Sequence, residues 1–447
     1  MSQLNDDPRI DPRIKALMGS MPPPVTKNVE SREQLLQEAQ SPESVARMEQ
    51  MKAMFDMVDN EQVAPSDGLV FSDREFVSQP DGNTIKVQFI RPESSEPLPC
   101  VYYIHGGGMQ SMSCYYGMYR AWGKIIAAQG VAVAMVDFRN CVNPSSAPEV
   151  APFPAGLNDC VSGVHWLAGE AEALGIDRNH IIVAGESGGG NLTLATGLKL
   201  KQDNDLGLIR GLYALCPYIA GAWPQDRFPS SSENNGLLLD LHSNYGATAY
   251  GIDAFNERNP LAWPSFASEA DVTGLPPTVI SVNECDPLRD EGIEFYRLLL
   301  RAGVAARCRQ VMGTLHGTEV FAVACPDISR ESAASIAQFC REACIRASQI
   351  WGQSKIWGQS KNPTRVRETC QTAAGVFTLT PNLLVFHQFF CHPVPDSRVD
   401  VQPNVTAQHL YIVHIVVIAI LPRCAPVDDA VGTGVNRGGW DGRWIRV

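Results

Sequence analysis

Residues 180–191, HIIVAGESGGGN, contain the pattern that decides the fold. The apolar run 181–184 is typical of a strand buried on both faces, and residues 192–201, with leucines three or four positions apart, predict a helix just after it. Between them, residues 185–189 match the pattern G-x-S-x-G, in which a strand turns at once into a helix. Such a turn strains the backbone of its central residue, and small neighbours make room for it. We therefore predict that the Ser187 hydroxyl is exposed as a nucleophile, with a helix N-cap serine as the alternative.

The composition favours a large globular protein. The chain has 447 residues, of which 45% are hydrophobic, and its 36 Lys and Arg against 48 Asp and Glu give a net charge of −12. An acidic chain without a basic cluster argues against nucleic acid and anionic membrane surfaces as partners. No apolar run reaches the roughly 18 residues that a membrane helix needs. The first residues lack the basic and apolar regions of a signal peptide, so we expect a cytoplasmic protein.

The cysteines and histidines do not predict a metal site. The thirteen cysteines are scattered and lie mostly within apolar runs, which is typical of reduced core residues in a cytosolic protein. Their spacing relative to the histidines does not match a zinc site. We therefore expect no metal site.

Strand and helix patterns alternate from residue 100 to residue 347. A hairpin is expected first, over residues 70–77 and 85–91. Further strands are expected at 100–104, 131–136, 181–184, 211–216, 278–282 and 307–311, and helices at 116–128, 154–174, 192–201, 290–302 and 326–347. This alternation is the signature of an α/β fold with a mostly parallel central sheet and helices on both faces.

Two segments outside this alternation are expected to form a lid over a substrate pocket. Residues 1–65 contain an amphipathic, Met-rich helix pair at 31–57, and Met-rich faces are adaptable packing surfaces. Helices that only cover the core are the alternative for this segment. Residues 219–264 form an insertion after a strand, where a second lid segment would lie. The catalytic core is then expected at 66–218 and 265–347.

The C-terminal segment has a different composition. Residues 350–355 are repeated at once as residues 356–361, and we find no motif beyond them. We expect residues 348–447 to be a poorly ordered tail, with a partner-binding tail as the alternative.

A nucleophilic serine needs a base, an acid that orients the base, and donors for the oxyanion. In this type of fold the chain order is serine, acid, histidine. Asp286 follows the predicted strand 278–282, and the next residue is a proline that fixes the backbone. We therefore choose Asp286 as the acid, with Glu284 and Asp290 as rivals.

The best candidate for the base is His316. It lies in a glycine-flanked loop between the last predicted strand and the closing helix. An imidazole in such a loop can reach over the sheet edge. His242 is a rival for the base because it also follows Ser187, but it precedes the predicted acid and so does not match the expected chain order.

The stretch His-Gly-Gly-Gly at residues 105–108 ends a predicted buried strand at the same sheet edge. Glycines let backbone N–H groups approach a ligand closely. Together with the N–H of Gly188 they can form an oxyanion hole, and one such donor is worth roughly 3 kcal/mol of barrier. A plain glycine turn is the alternative. We expect His105 to hold the loop by a hydrogen bond and not to be the base.

In combination, residues 105–108, 185–189 and 286–288 resemble the hormone-sensitive lipase-like branch of the α/β-hydrolases. The resemblance runs from about residue 70 to residue 347 and implies a carboxylesterase that cleaves esters of short to medium acyl chains without a cofactor. It also implies a helical lid from the N-terminus and the mid-chain insertion. The residues that it implies are a triad of Ser187, Asp286 and His316, oxyanion donors at Gly107, Gly108 and Gly188, and a shaping role for Gly106.

The sequence departs from this branch near the pocket. Glu186, which we expect to support the site, stands where many relatives have aspartate, Phe138-Arg139-Asn140 replaces the usual tyrosine-arginine-leucine, and residues 143–151 are lengthened. The substrate is therefore open: we expect a small-molecule ester, with an amidase, a lactonase or a specialised deacetylase as alternatives. A non-catalytic receptor on the same scaffold and a homodimer formed through the lid are further alternatives.

Overall fold

The computed structural model describes residues 3–22 and 24–342, and the predicted tail at 348–447 lies outside them. In this part of the chain, eight strands form one sheet in the order β1-β2-β4-β3-β5-β6-β7-β8. The strands are β1 Leu69–Val77, β2 Thr84–Pro92, β3 Leu98–Ile104, β4 Ala132–Val136, β5 Ile176–Glu186, β6 Gly211–Leu215, β7 Thr278–Asn283 and β8 Ala306–Val311. The pairs β1–β2 and β2–β4 are antiparallel, and the remaining pairs are parallel. The predicted α/β class with a mostly parallel sheet is confirmed.

The helices of the described residues lie before the sheet, between its strands and after it. They are α1 Gln3–Asp6, α2 Pro12–Met18, α3 Arg32–Ala39, α4 Pro42–Asp56, α5 Gly117–Ala127, α6 Ala155–Gly169, α7 Ala171–Leu174, α8 Gly188–Gln202, α9 Ser230–Glu233, α10 Tyr245–Tyr250, α11 Ile252–Asn256, α12 Glu269–Val272, α13 Arg289–Arg301 and α14 Pro326–Glu342.

The sheet is buried on both faces. Along β3, Cys100, Tyr102 and Ile104 pack into one apolar cluster, whereas Val101 and Tyr103 pack into another. Because successive side chains of a strand point to opposite faces, these clusters are the two cores above and below the sheet. The continuous apolar runs in the sequence follow from this double burial.

Several boundaries differ from the sequence prediction, and α8 begins at Gly188 instead of residue 192. The helix expected at 154–174 is broken into α6 and α7, because Glu170 leaves helical geometry (φ −93°, ψ 10°), and α7 ends at Gly175 in the left-handed conformation. The strand expected at 181–184 is longer, since β5 begins at Ile176. The closing helix is described up to Glu342, and the rest of its predicted span lies outside the described residues.

The N-terminal residues pack beside the loop that carries His316. Leu4, Ile10 and Ile14 share an apolar cluster with Leu315, and the backbone N–H of Asp11 donates to the carbonyl of Gly313 at 2.9 Å. These first helices therefore hold the loop from outside the sheet. No helix of the described residues is long and apolar enough to cross a membrane.

Candidate active site

Ser187 occupies a strained turn between β5 and α8. Its backbone has φ +57° and ψ −119°, a conformation that L residues rarely adopt. The backbone N–H of Ser187 donates to the carbonyl of Leu215 at 2.9 Å, and that of Tyr218 donates to the carbonyl of Ser187 at 3.0 Å. Ser187 stands at the N-cap position of α8, but its side chain makes no capping hydrogen bond, and it is half-buried between buried neighbours.

The glycine loop after β3 lies against the first turn of α8. A Cβ atom at residue 188 would lie 2.6 Å from the backbone nitrogen of Met109 and 2.7 Å from that of Gly108, so only glycine permits this approach. Gly107 and Gly108 have positive φ and are half-buried, whereas Gly106 is buried.

The backbone N–H groups at this point are available to a ligand. Within residues 3–22 and 24–342, no acceptor is found for the N–H of Gly107 or of Gly108. The N–H of Gly188 opens α8, where no preceding helical carbonyl exists to accept it. An anion placed between the loop and the helix would meet these donors and the positive end of the helix dipole.

His316 and Asp286 form a buried pair. Nδ1 of His316 lies 2.8 Å from Oδ2 of Asp286, and the backbone N–H of Leu288 donates to Oδ1 of Asp286 at 2.9 Å. Burial alone would lower the pKa of His316, but the Asp286 carboxylate outweighs it and holds that pKa well above its usual range.

The end of β6 connects Ser187 with this pair. Leu215 accepts the N–H of Ser187, and the sulfur of the next residue, Cys216, lies within 4.8 Å of a His316 nitrogen. Glu186, directly before Ser187, is also near enough for His316 to lower its pKa. The structure thus brings the serine, the imidazole and the carboxylate to the carboxyl edge of the parallel strands.

The rival residues serve other contacts. Glu284 accepts the backbone N–H of Gly313 at 2.7 Å, and Asp290 accepts the backbone N–H of Ser230 at 2.7 Å. His242 contacts the carbonyl of Ser231 at 2.9 Å. None of these three side chains bonds to His316 among the described residues.

His105 is buried beneath the glycine loop. Its Nδ1 lies 2.9 Å from the carbonyl of Gly106, its Nε2 lies 3.6 Å from Asp137, and its ring stacks on Phe138 with centroids 4.3 Å apart. Burial lowers the pKa of His105. A neutral imidazole fixed by these contacts can hold the loop in place. None of these contacts joins His105 to Ser187.

Glu186 lies at the centre of a hydrogen-bond network that reaches the glycine loop. The hydroxyls of Tyr103 and Tyr119 donate to its two carboxylate oxygens at 2.7 and 2.6 Å, and Tyr119 accepts the backbone N–H of Gly106 at 3.0 Å. Burial raises the pKa of Glu186 to about 7, against the lowering effect of both tyrosines. This carboxylate therefore connects the serine turn to the glycine loop.

Sequence reasoning missed Tyr103, Tyr119 and Cys216. Cys216 carried a signal, because it directly follows a strand at the edge where Ser187 was expected. Tyr103 and Tyr119 carried no signal, because the residue that their hydroxyls contact, Glu186, lies 83 and 67 positions away in the sequence.

Comparison with known proteins agrees with this geometry. A family model described as alpha/beta hydrolase fold matches residues 101–320. Carboxylesterase NlhH of Mycobacterium tuberculosis is 31% identical over 240 residues, which cover 53% of this chain and 71% of that protein. Esterase LipI of the same organism is 30% identical over 229 residues, which cover 51% of this chain and 67% of that protein.

Solved structures of esterases resemble the chain over a longer range. Esterase Est22 is 66% identical with a TM-score of 0.74, and the match covers 76% of this chain and 99% of that one. Brefeldin A esterase, a bacterial homologue of human hormone sensitive lipase, is 33% identical with a TM-score of 0.67 and coverages of 76% and 95%. The chain therefore belongs to the α/β-hydrolase family, in its hormone-sensitive lipase-like branch. It is an esterase of the serine hydrolase type, as the sequence predicted.

Proposed function

We propose that this esterase cleaves carboxylic esters of short to medium acyl chain through an acyl intermediate on Ser187. The observation that carries the proposal is the 2.8 Å hydrogen bond between His316 and Asp286, beside the strained turn of Ser187. In this geometry Asp286 fixes the tautomer of the imidazole, so that Nε2 is the free basic nitrogen.

The reaction proceeds in two halves. His316 takes the proton of Ser187 as its oxygen attacks the ester carbonyl, and the N–H groups of Gly107, Gly108 and Gly188 stabilise the oxyanion. His316 then gives this proton to the leaving alcohol, and the acyl-serine remains. Water repeats the cycle, losing its proton to His316, and releases the carboxylic acid while Ser187 regains its hydrogen.

Gly106, His105 and Glu186 support the oxyanion loop in this proposal. The bond from Gly106 to Tyr119 and the contact of His105 with the Gly106 carbonyl both fix the loop backbone from below. A preorganised loop costs no rearrangement when the charge develops.

We also propose that the N-terminal segment and the insertion at 219–264 form a lid together. The backbone N–H of Thr26 donates to Asp240 at 2.8 Å, and that of Val29 donates to Asn244 at 2.8 Å. These bonds join the two segments, so that both can shape one substrate entrance and set the acyl length. Eight cysteines of the described residues, from Cys100 to Cys325, are free thiols, which supports a reducing cytoplasmic location.

Kinetics of a Ser187→Ala variant test the proposal. With p-nitrophenyl butyrate we expect kcat to fall by roughly 10⁶ while circular dichroism stays unchanged, since loss of the nucleophile removes the acyl route. Turnover near the wild-type rate would reject Ser187. A panel of p-nitrophenyl esters of graded chain length, with an anilide and a lactone beside them, tests the substrate class.

A further inference from the structure

Cys216 adds a thiol to the pair formed by His316 and Asp286. Its sulfur, a nitrogen of His316 and a carboxylate oxygen of Asp286 all lie within 4.8 Å of one another, and the three side chains are buried. The catalytic mechanism proposed above does not use this thiol.

The backbone fixes the position of Cys216 firmly. It directly follows β6 with φ +34°, a rare conformation for a residue other than glycine, and its N–H donates to the carbonyl of Ser281 at 2.7 Å. Because the next residue is a proline with a fixed φ, the turn has little freedom. The backbone that carries the Cys216 side chain is therefore fixed beside His316.

The donor set suits a borderline-soft divalent cation. Zinc binds cysteine sulfur, histidine nitrogen and carboxylate oxygen tetrahedrally at about 2.0–2.3 Å, which places neighbouring ligand atoms roughly 3.3–3.8 Å apart. The three donors lie within 4.8 Å of one another, so small side-chain shifts, including a widening of the 2.8 Å between Nδ1 of His316 and Oδ2 of Asp286, would reach this spacing. Hard cations such as magnesium prefer oxygen ligands in octahedral sites and do not fit one sulfur and one nitrogen.

We infer that Cys216, His316 and Asp286 form an inhibitory site for Zn²⁺ or Cd²⁺. The cation binds the Cys216 sulfur as thiolate, so the thiol proton is released to solvent. It binds Nδ1 of His316, whose proton moves to Nε2 as the imidazole changes tautomer, and one oxygen of Asp286, and a water completes the tetrahedron. His316 can then no longer accept the proton of Ser187, so ester hydrolysis stops until a chelator removes the cation. Inhibition, unlike binding, rests on the proposed role of His316.

Inhibition kinetics on the full chain give the first test. We measure the Zn²⁺ concentration that halves each protein's own rate with p-nitrophenyl acetate, and expect EDTA to restore activity. Loss of a second-sphere partner already costs 10–100-fold in metal affinity, so Cys216→Ser should raise this concentration at least about tenfold. Cys308→Ser is the matched control, since Cys308 is the least buried of the cysteines in the described residues, and its value should stay within about twofold of wild type.

Cadmium binding gives a second test that does not depend on activity. The ultraviolet thiolate-to-Cd²⁺ absorption should appear on titration of wild type and of Ser187→Ala, and should weaken strongly in Cys216→Ser and in His316→Ala. The Ser187→Ala titration keeps this inference separate from the proposed function, because binding is expected there even though hydrolysis is not. Where Cys216→Ser does not fold, Cys216→Ala and His316→Ala give the same comparison.

Two outcomes would overturn the inference. One is an unchanged half-inhibiting Zn²⁺ concentration in Cys216→Ser, and the other is a Cd²⁺ absorption that survives the loss of Cys216 or of His316. An unchanged Zn²⁺ concentration or a surviving absorption in Cys216→Ser would assign metal sensitivity to a thiol elsewhere in the chain, and a surviving absorption in His316→Ala would show that the imidazole is not a ligand.

Discussion

At the scale of single residues, the ionisation of His316 controls the proposed reaction. The base works only when neutral, that is, above its pKa, and Asp286 holds that pKa well above 6.5 despite burial. We therefore expect kcat/KM to rise with pH and to reach half its plateau above pH 6.5. A profile of kcat/KM from roughly pH 5 to 9 measures this midpoint.

Asp286→Asn is the matched variant for this pH profile. Without the carboxylate, only Cys216 still acts against burial to raise the pKa of His316, so that pKa should fall and the midpoint should move to lower pH. The plateau should also drop by about 10³–10⁴, because the imidazole loses its orienting partner. A midpoint that stays in place would contradict the assigned cause.

Variants of two tyrosines can distinguish hydrogen-bonded support of the glycine loop from simple packing. Tyr119→Phe removes the acceptor of the Gly106 N–H as well as a donor to Glu186, whereas Tyr103→Phe removes only a donor. An unpaired buried N–H costs about 1–3 kcal/mol, so we expect kcat of Tyr119→Phe to fall by about tenfold or more with little change in KM.

Tyr103→Phe should lower kcat less than Tyr119→Phe does. Both variants lose one buried hydroxyl, but only Tyr119→Phe also leaves the Gly106 N–H unpaired, so its urea midpoint should fall further than that of Tyr103→Phe. Equal losses of kcat in the two variants would show that the hydrogen bond from Gly106 to Tyr119 does not determine kcat.

At the scale of elements, helix α2 is expected to stabilise the loop of His316. Ile14 is 1% exposed and shares a cluster with Leu315, the residue before His316, whereas Leu17 on the same helix is 46% exposed. Ile14→Ala should cost about 2–5 kcal/mol of unfolding free energy if this packing is tight. We also expect kcat to fall, since the loop loses its outer support.

Leu17→Ala is the control for this packing. An exposed substitution on the same helix should stay within about 0.5 kcal/mol and leave kcat unchanged. Urea unfolding and p-nitrophenyl ester kinetics on the two variants measure both effects. Equal behaviour of Ile14→Ala and Leu17→Ala would mean that α2 does not support the loop.

The elements could be predicted from the sequence because the sheet is buried on both faces. The inner parallel strands contain short apolar runs, and residues 105 and 187 directly follow the strands β3 and β5, so their shared edge followed from the pattern. The break of the predicted helix at Glu170 could not be predicted, because the pattern of apolar residues continues through it. The contacts of Glu186 with the tyrosines depend on tertiary packing, which leaves no local signal.

At the scale of the whole molecule, the described residues carry every group of the candidate site. The match with Est22 covers 76% of this chain and 99% of that one, so a related esterase is matched almost completely by part of this chain. We therefore expect removal of residues 351–447 to leave kcat/KM of the remaining protein within about twofold of the full chain. A larger loss, measured with the same ester, would show that the tail contributes to catalysis.

The claim that Ser187 is the nucleophile is tested most directly by covalent labelling with a fluorophosphonate probe. Mass spectrometry of the digested full chain should find one adduct, on the peptide that contains Ser187, and Asp286→Asn should be labelled far more slowly. Ser187→Ala should carry no adduct. An adduct on another residue, or labelling of Ser187→Ala at the wild-type rate, would contradict the account.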